Sequence, residues 1–132
     1  MTGLARAAER LVGVPFRLHG RDPARGLDCV GLVAAALADI GRPVFAPAGY
    51  RLRQVAIGRL LDAAARSGLE ETAGTIEPGD VLLVRPGPAQ HHLVIAATDG
   101  GFVHAHAGLG RIVLTPAPLA WPVDHHWRLA AE

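Results

Sequence analysis

The sequence lacks several residue types, and each absence excludes a class of protein. Among its 132 residues there is no lysine and no asparagine, so all thirteen basic residues are arginine. The formal net charge is only +1, which provides no broad electrostatic field for binding nucleic acid or an acidic membrane surface. The single cysteine, Cys29, cannot form an internal disulfide. We therefore expect neither a nucleic-acid partner nor a disulfide scaffold.

Long apolar segments are absent as well. The longest apolar run, residues 30–38, is far shorter than the ~20 residues that a membrane span needs. Arg6, Glu9 and Arg10 interrupt the N-terminal segment, so no hydrophobic stretch of a signal peptide forms there. We expect a chain that is made in the cytoplasm without a signal peptide and that has no membrane partner.

The composition is that of one compact domain, which we predict over residues 1–132, since half of the residues are apolar and 19% are charged. Helical spacing in the first half predicts helices over residues 4–12, 29–40 and 52–67. The second half changes to short β-rich runs separated by turn signals, over residues 81–84, 93–97, 102–106, 111–114 and 123–128. Helices followed by an antiparallel meander predict an α+β fold with helices packed on one sheet face.

Cys29 is the candidate nucleophile because it opens a predicted helix. It follows Asp28, a good N-cap residue. The free N–H groups at a helix start favour a thiolate and lower a cysteine pKa from about 8.5 to roughly 3.5–7.5. Gly31 costs about 1 kcal/mol in a helix relative to alanine, which indicates that another segment approaches the backbone closely there. The alternative is a buried cysteine that serves as a small apolar side chain.

A thiolate needs a base, and the sequence offers seven histidines. His92 falls on one strand of a predicted hairpin, and His104 and His106 fall on the other. A three-residue loop, or a glycine bulge at the Gly100-Gly101 pair, places all three side chains on one face, whereas a two-residue loop separates His92 from the others. The two adjacent glycines favour the shared face. This argument does not choose between His104 and His106.

The remaining chemically interesting residues have simpler interpretations. His104 and His106, with His91, His92 or Cys29, also fit a tetrahedral zinc site, but the usual zinc-ligand spacings are missing. We therefore predict no metal and no cofactor. Asp80 is interpreted as a turn residue, and Trp121 and Trp127 as packing residues. The other histidines, His19, His125 and His126, are predicted to lie at the surface or in packing contacts.

Five segments, in this order, resemble the NlpC/P60 family of cysteine peptidases over nearly the whole chain: Gly13-Val14-Pro15-Phe16, Asp28-Cys29-Val30-Gly31-Leu32-Val33, Pro78-Gly79-Asp80-Val81-Leu82, His92-Leu93-Val94-Ile95 and Phe102-Val103-His104-Ala105. The resemblance implies a papain-like α+β fold, with Cys29 as nucleophile, His92 as general base and His104 as the residue that orients it. It also implies attack by the Cys29 thiolate through an acyl-enzyme, on the peptide stems of bacterial cell wall.

Two positions depart from the family pattern. Many members have tyrosine at the position of Phe16 and serine at that of Val30, and these hydroxyls help to bind a free N-terminal amine in some of them. Asp28 remains, so the amine-binding set is incomplete, and we expect no requirement for such an amine. We assign Asp28, Phe16, Val30 and His106 to substrate binding.

Within the family, the chain most resembles the stand-alone peptidases encoded with the tails of phages and gene transfer agents. This resemblance implies tail or hub proteins as partners and a location in a phage-tail-like particle that acts on the cell wall. Two alternatives stay open: an amidase or acyltransferase on lipid or small-molecule amides, and a tail-hub component that has lost turnover.

Overall fold

This computed structural model describes residues 3–47 and 57–130, in which all three helices precede the main sheet and a small two-stranded sheet lies between the first two helices. The helices are α1 (Gly3–Arg10), α2 (Cys29–Asp39) and α3 (Gly58–Arg66). The strands are β1 (Arg21–Asp22), β2 (Gly26–Leu27), β3 (Leu69–Glu71), β4 (Val81–Gly87), β5 (Gln90–Ala96), β6 (Phe102–His106), β7 (Arg111–Thr115) and β8 (Val123–Leu129). Among the described residues, no helix combines the length and apolar character required to span a bilayer.

The main sheet has six antiparallel strands in the order β3-β8-β4-β5-β6-β7. Strands β4 to β7 form the predicted meander, and the α+β fold class is confirmed. Strand β8 then returns to pair with the free side of β4, which the sequence pattern did not predict. The predicted third helix begins at Gly58, and residues 52–56 of that prediction lie outside the described residues.

Both faces of the sheet are covered. On one face, α2 packs against β4, β5 and β6 in the main core, which explains why this helix is apolar nearly all round. On the opposite face, a second cluster forms under the segment that follows β7; it comprises Leu82, Val84, Val94, Ala96 and Phe102, packed against Leu119 and Trp121. The helices therefore cover one face as predicted, while a non-helical segment covers the other.

The β5–β6 hairpin places three histidines on one face. The N–H of Ala97 donates to the carbonyl oxygen of Gly101, which leaves a three-residue loop with Gly100 at a φ of 93°. Val94 lies directly opposite His104. Because alternate residues share a face, His92 and His106 lie on the same face as His104. The predicted shared face is confirmed, and the two-residue alternative is wrong.

Asp80 anchors the turn before β4 to the last strand of the sheet. Its buried carboxylate accepts bonds from Arg128 Nε and Nη2, both at 2.9 Å, and from the Glu77 N–H at 2.9 Å. His126 Nε2 lies 2.6 Å from the same carboxylate. Burial alone would raise the pKa of Asp80, but the bonds from Arg128, Glu77 and His126 outweigh it and lower the pKa. Interpreting Asp80 as a turn residue was therefore incomplete.

We predict that Asp80→Asn lowers the free energy of unfolding at pH 7 by about 1.5–3 kcal/mol, because hydrogen bonds to the charged carboxylate are lost. A carboxyl group with a lowered folded-state pKa stabilises above its unfolded pKa, about 3.9, and this stability disappears as the pH falls through the folded-state value. Denaturant unfolding of both proteins between pH 3 and 7 measures the difference. Asp62→Asn, at an exposed position on α3, is the control; a pH-independent difference for Asp80→Asn would contradict the prediction.

Candidate active site

The start of α2 is fixed by the carboxylate of Asp28, as the predicted N-cap role requires. Asp28 Oδ1 accepts from the Gly31 N–H at 2.8 Å, and its backbone oxygen accepts from the Leu32 N–H. The first two N–H groups of the helix, those of Cys29 and Val30, are hydrogen-bonded towards the Cys29 sulfur. The N–H groups that lack a partner within the helix are thus satisfied in two ways, by the Asp28 carboxylate and by the Cys29 sulfur.

Gly31 lets a loop press against this helix start. A Cβ atom added to Gly31 would lie 2.0 Å from the carbonyl oxygen of Gly20, a distance at which the two segments could not remain in place. The same loop binds Asp28, through the His19 N–H at 2.7 Å and Arg21 Nη1 at 3.2 Å. The close backbone approach predicted at Gly31 is therefore confirmed, and the approaching segment is the loop before β1.

The Cys29 sulfur lies where β5 and β6 separate. Their ladder stops at the pair Val94–His104, and the N–H of the next β5 residue, Leu93, hydrogen-bonds the sulfur. Leu93 belongs to the core face, whereas His92 lies on the face that carries Val94. The Cys29 side chain belongs to the main core, and His92 lies on the face of the second cluster.

The predicted thiolate is wrong for this arrangement. Cys29 is only 2% exposed, and this burial raises its pKa to about 12. The N–H of Leu93 lowers the pKa, the negative charge of Asp28 raises it, and the N–H groups of Val30 and Cys29 lower it. Desolvation of the thiolate therefore outweighs the helix start. At neutral pH the candidate nucleophile is a neutral thiol.

His92 and His104 form a hydrogen-bonded pair. His92 Nε2 lies 3.2 Å from His104 Nδ1, and the two rings are nearly perpendicular. Burial, followed by the charges of His104 and His106, lowers the pKa of His92 to about 4. The pKa of His104 is lowered by burial and then by His106. Both rings are therefore neutral at pH 7, and the described residues offer no hydrogen-bond partner to His92 Nδ1 and no hydrogen bond between the thiol and either ring.

The four residues assigned to substrate binding lie in different surroundings. His106 is half-buried; its ring lies 5.9 Å from that of His104, and its Nδ1 accepts from the Leu109 N–H. Phe16 is half-buried and packs against the main core. Val30 is buried in that core and offers no exposed surface to a substrate, and the Asp28 carboxylate is buried among its own partners. Of the four, only His106 adjoins the His92–His104 pair.

Other histidines lie outside this group. His125 lies 2.5 Å from Glu71 and stacks on Trp127, and His126 binds Asp80, so both make structural contacts as predicted. His19 contributes its backbone N–H to the Asp28 cap. Within the described ranges, no three histidine, cysteine or acidic side chains are arranged to hold a metal ion.

Two residues near the site were not predicted from the sequence. Arg21 donates to Asp28, to Gly20 O and to Pro47 O, and thus joins three segments around the helix start. The Trp121 ring lies against both His92 and His104. Neither contact has a local sequence signal, because both partners of each contact are brought together by the fold.

Comparisons with known proteins agree with this geometry. The profile of the NlpC/P60 family matches residues 13–121. The NlpC/p60 domain of the peptidoglycan hydrolase SagA has a similar fold, with a TM-score of 0.65 and 20% identity, and the match covers 96% of this chain and 97% of that domain. No curated protein sequence matches the chain significantly.

Two longer proteins contain the same fold. NlpC1 from Trichomonas vaginalis has a TM-score of 0.67 and 22% identity over 95% of this chain, but the match covers only 43% of NlpC1. The peptidoglycan hydrolase RipB from Mycobacterium tuberculosis has a TM-score of 0.60 and 23% identity over 98% of this chain and 64% of RipB. The present chain thus spans less than half of NlpC1 and about two thirds of RipB.

We predict that alkylation of Cys29 by iodoacetamide is slow at pH 7 and that its rate keeps rising from pH 8 to pH 10, because the reactive thiolate is scarce below a pKa of about 12. The pseudo-first-order rate is followed by intact mass. The urea-unfolded protein is the control, and its rate should reach half of its maximum near pH 8.5. A plateau below pH 8 in the folded protein would show a preformed thiolate.

Proposed function

The chain belongs to the NlpC/P60 family, and on that premise we propose that it is a cysteine peptidase that hydrolyses peptide bonds in the stem peptides of peptidoglycan. One observation carries the proposal. The backbone N–H of Leu93, the residue after His92, is hydrogen-bonded to the Cys29 sulfur. The Nε2 atom of His92 lies within hydrogen-bond distance, 3.2 Å, of His104 Nδ1. The names of the similar structures SagA and RipB support peptidoglycan as the substrate class.

The protonation states support general-base catalysis rather than attack by a resting thiolate. If His92 donates its Nε2–H to His104 Nδ1, its Nδ1 carries the free lone pair. As the sulfur attacks the substrate carbonyl carbon, the thiol proton moves to His92 Nδ1 and a C–S bond forms. The carbonyl oxygen takes up the negative charge, and the backbone N–H of Cys29, at the helix start, is the donor that we propose for it.

The second half of the reaction returns the enzyme to its starting state. The C–N bond breaks, and the leaving amine takes the proton from His92 Nδ1. Water then attacks the acyl-enzyme, gives a proton to His92 and releases the acid, after which the sulfur is reprotonated. Since the thiol is 2% exposed, substrate binding has to displace groups that cover it.

The hydrogen-bond partners of Asp28 favour a peptidase that cleaves within longer peptides. Its carboxylate is bound by the Gly31 and His19 N–H groups and by Arg21, and Phe16 has no hydroxyl to contribute. A free N-terminal amine of the substrate would have to compete with the Arg21 guanidinium for this buried carboxylate. We therefore propose that the enzyme does not require such an amine.

We propose further that the enzyme acts from a phage-tail-like particle, with tail or hub proteins as partners. The support is the sequence resemblance to stand-alone peptidases of such particles, including the apolar residue Val30 after the nucleophile.

We predict that Cys29→Ala reduces the release of new amino groups from purified sacculi to background, and that His92→Gln reduces it by about 10²–10⁴-fold, the usual contribution of a general base. Mass spectrometry of the digests identifies the cleaved bond. His125→Gln, at a histidine outside the site, is the control and should digest normally. Equal digestion by wild type and Cys29→Ala, or the release of fatty acid instead of muropeptides, would refute the proposed function.

We predict that kcat/KM falls as the pH drops through about 4, because His92 is active as a neutral base and its pKa is lowered to about 4 by burial. The sign follows from the protonation: below its pKa the ring is an imidazolium and cannot accept the thiol proton. The profile is measured between pH 3 and 9 on a soluble stem peptide, with stability monitored in parallel. An acid limb near pH 6.5 would show that His92 has its ordinary pKa.

A further inference from the structure

The segment between β7 and β8 crosses the face of the sheet that carries the histidines. Leu119 and Trp121 from this segment pack against the second cluster, beside Val94 and Phe102. Trp121 is half-buried and contributes to no other cluster of the described residues. Its ring is therefore held at the sheet face, where His92 and His104 also lie.

Trp121 makes edge-to-face contacts with both imidazoles. Its ring centroid lies 5.8 Å from that of His92, at an interplanar angle of 83°, and 5.6 Å from that of His104, at 87°. The two imidazoles lie 5.2 Å apart at 89°. The three rings are thus mutually perpendicular, an arrangement that aromatic pairs prefer, and no one ring can rotate without losing its contacts with the other two.

The groups around the histidine pair favour its neutral form. The titratable groups that act on His92 are His104 and His106 on β6, while β4 presents the apolar Val84 opposite it. No carboxylate is among these neighbours in the described residues to stabilise an imidazolium. An apolar ring that covers this face therefore favours the neutral imidazole over the charged imidazolium.

We propose that Trp121 is a positioning residue for the peptidase reaction: it shields the His92–His104 hydrogen bond from water and keeps the two rings in one orientation. The catalytic consequence rests on the proposed function, whereas the effect on the histidine pair rests on ring geometry alone. When His92 donates its Nε2–H to His104 Nδ1, the lone pair of His92 lies on Nδ1. With the tryptophan in place, Nδ1 of His92 remains the unprotonated nitrogen that accepts the thiol proton.

The test compares wild type with Trp121→Leu and Trp121→Phe. Nitrogen-15 NMR of the histidine rings, in the free protein without substrate, reports both the tautomer and the pKa of His92. Trp121→Leu should raise the pKa of His92 by at least about one unit towards 6.5, since water gains access to the charged form. Trp121→Phe keeps a smaller ring and should raise it by less, and this variant decides the test if the leucine variant does not fold.

Activity on a stem peptide gives the second measurement. The acid limb of kcat/KM should move upwards together with the NMR pKa, and kcat should fall about tenfold in Trp121→Leu, with a smaller change in KM. Leu119→Ala is the matched control, because it loosens the same segment without removing a ring from the imidazoles; its His92 pKa and acid limb should match wild type.

The two proposals fail in different ways. An unchanged His92 pKa and tautomer in both tryptophan variants, or an equal shift in Leu119→Ala, would overturn the role of Trp121 whatever the activity. An inactive wild-type enzyme whose His92 pKa still responds to Trp121 would refute the proposed function and leave the positioning role of Trp121 in place.

Discussion

The position of the Cys29 thiol depends on the carboxylate of Asp28. This one group caps α2 through Gly31 and binds the preceding loop through His19 and Arg21, so the helix start and the loop form a single packed unit. The same negative charge raises the pKa of the adjacent Cys29. Asp28 therefore fixes the position of the thiol and at the same time makes the thiol less acidic.

The neutral state of the site follows from burial on both sides of the sheet. The main core desolvates Cys29, and the second cluster, with Trp121, desolvates His92 and His104. A buried thiol with a raised pKa resists alkylation and oxidation, because the thiolate is the species that reacts with both kinds of reagent. In the mechanism proposed above, the proton moves only when a substrate carbonyl receives the sulfur, which couples deprotonation to attack.

The sequence predicted the features that have a local signal. Asp28 as N-cap, the close approach at Gly31, the three-residue loop before Gly101 and the shared face of the histidines all follow from short-range rules. The return of β8 to β4 and the contact of Trp121 with His92 join distant segments, so no periodicity reveals them. The raised pKa of Cys29 was missed because a helix start is visible in the sequence, whereas the depth of burial is set by β5 and β6. The roles assigned to Cys29, His92 and His104 remain predictions.

The order of the elements along the chain has a consequence for synthesis. The helix that carries Cys29 leaves the ribosome well before the hairpin that carries His92 and His104, and Trp121 and β8 emerge later still. A nascent chain thus exposes the Cys29 thiol before His92 and His104 are in place, and the sheet is complete only when β8 pairs with β4. The thiol and the two histidines therefore come together only after most of the chain has been made.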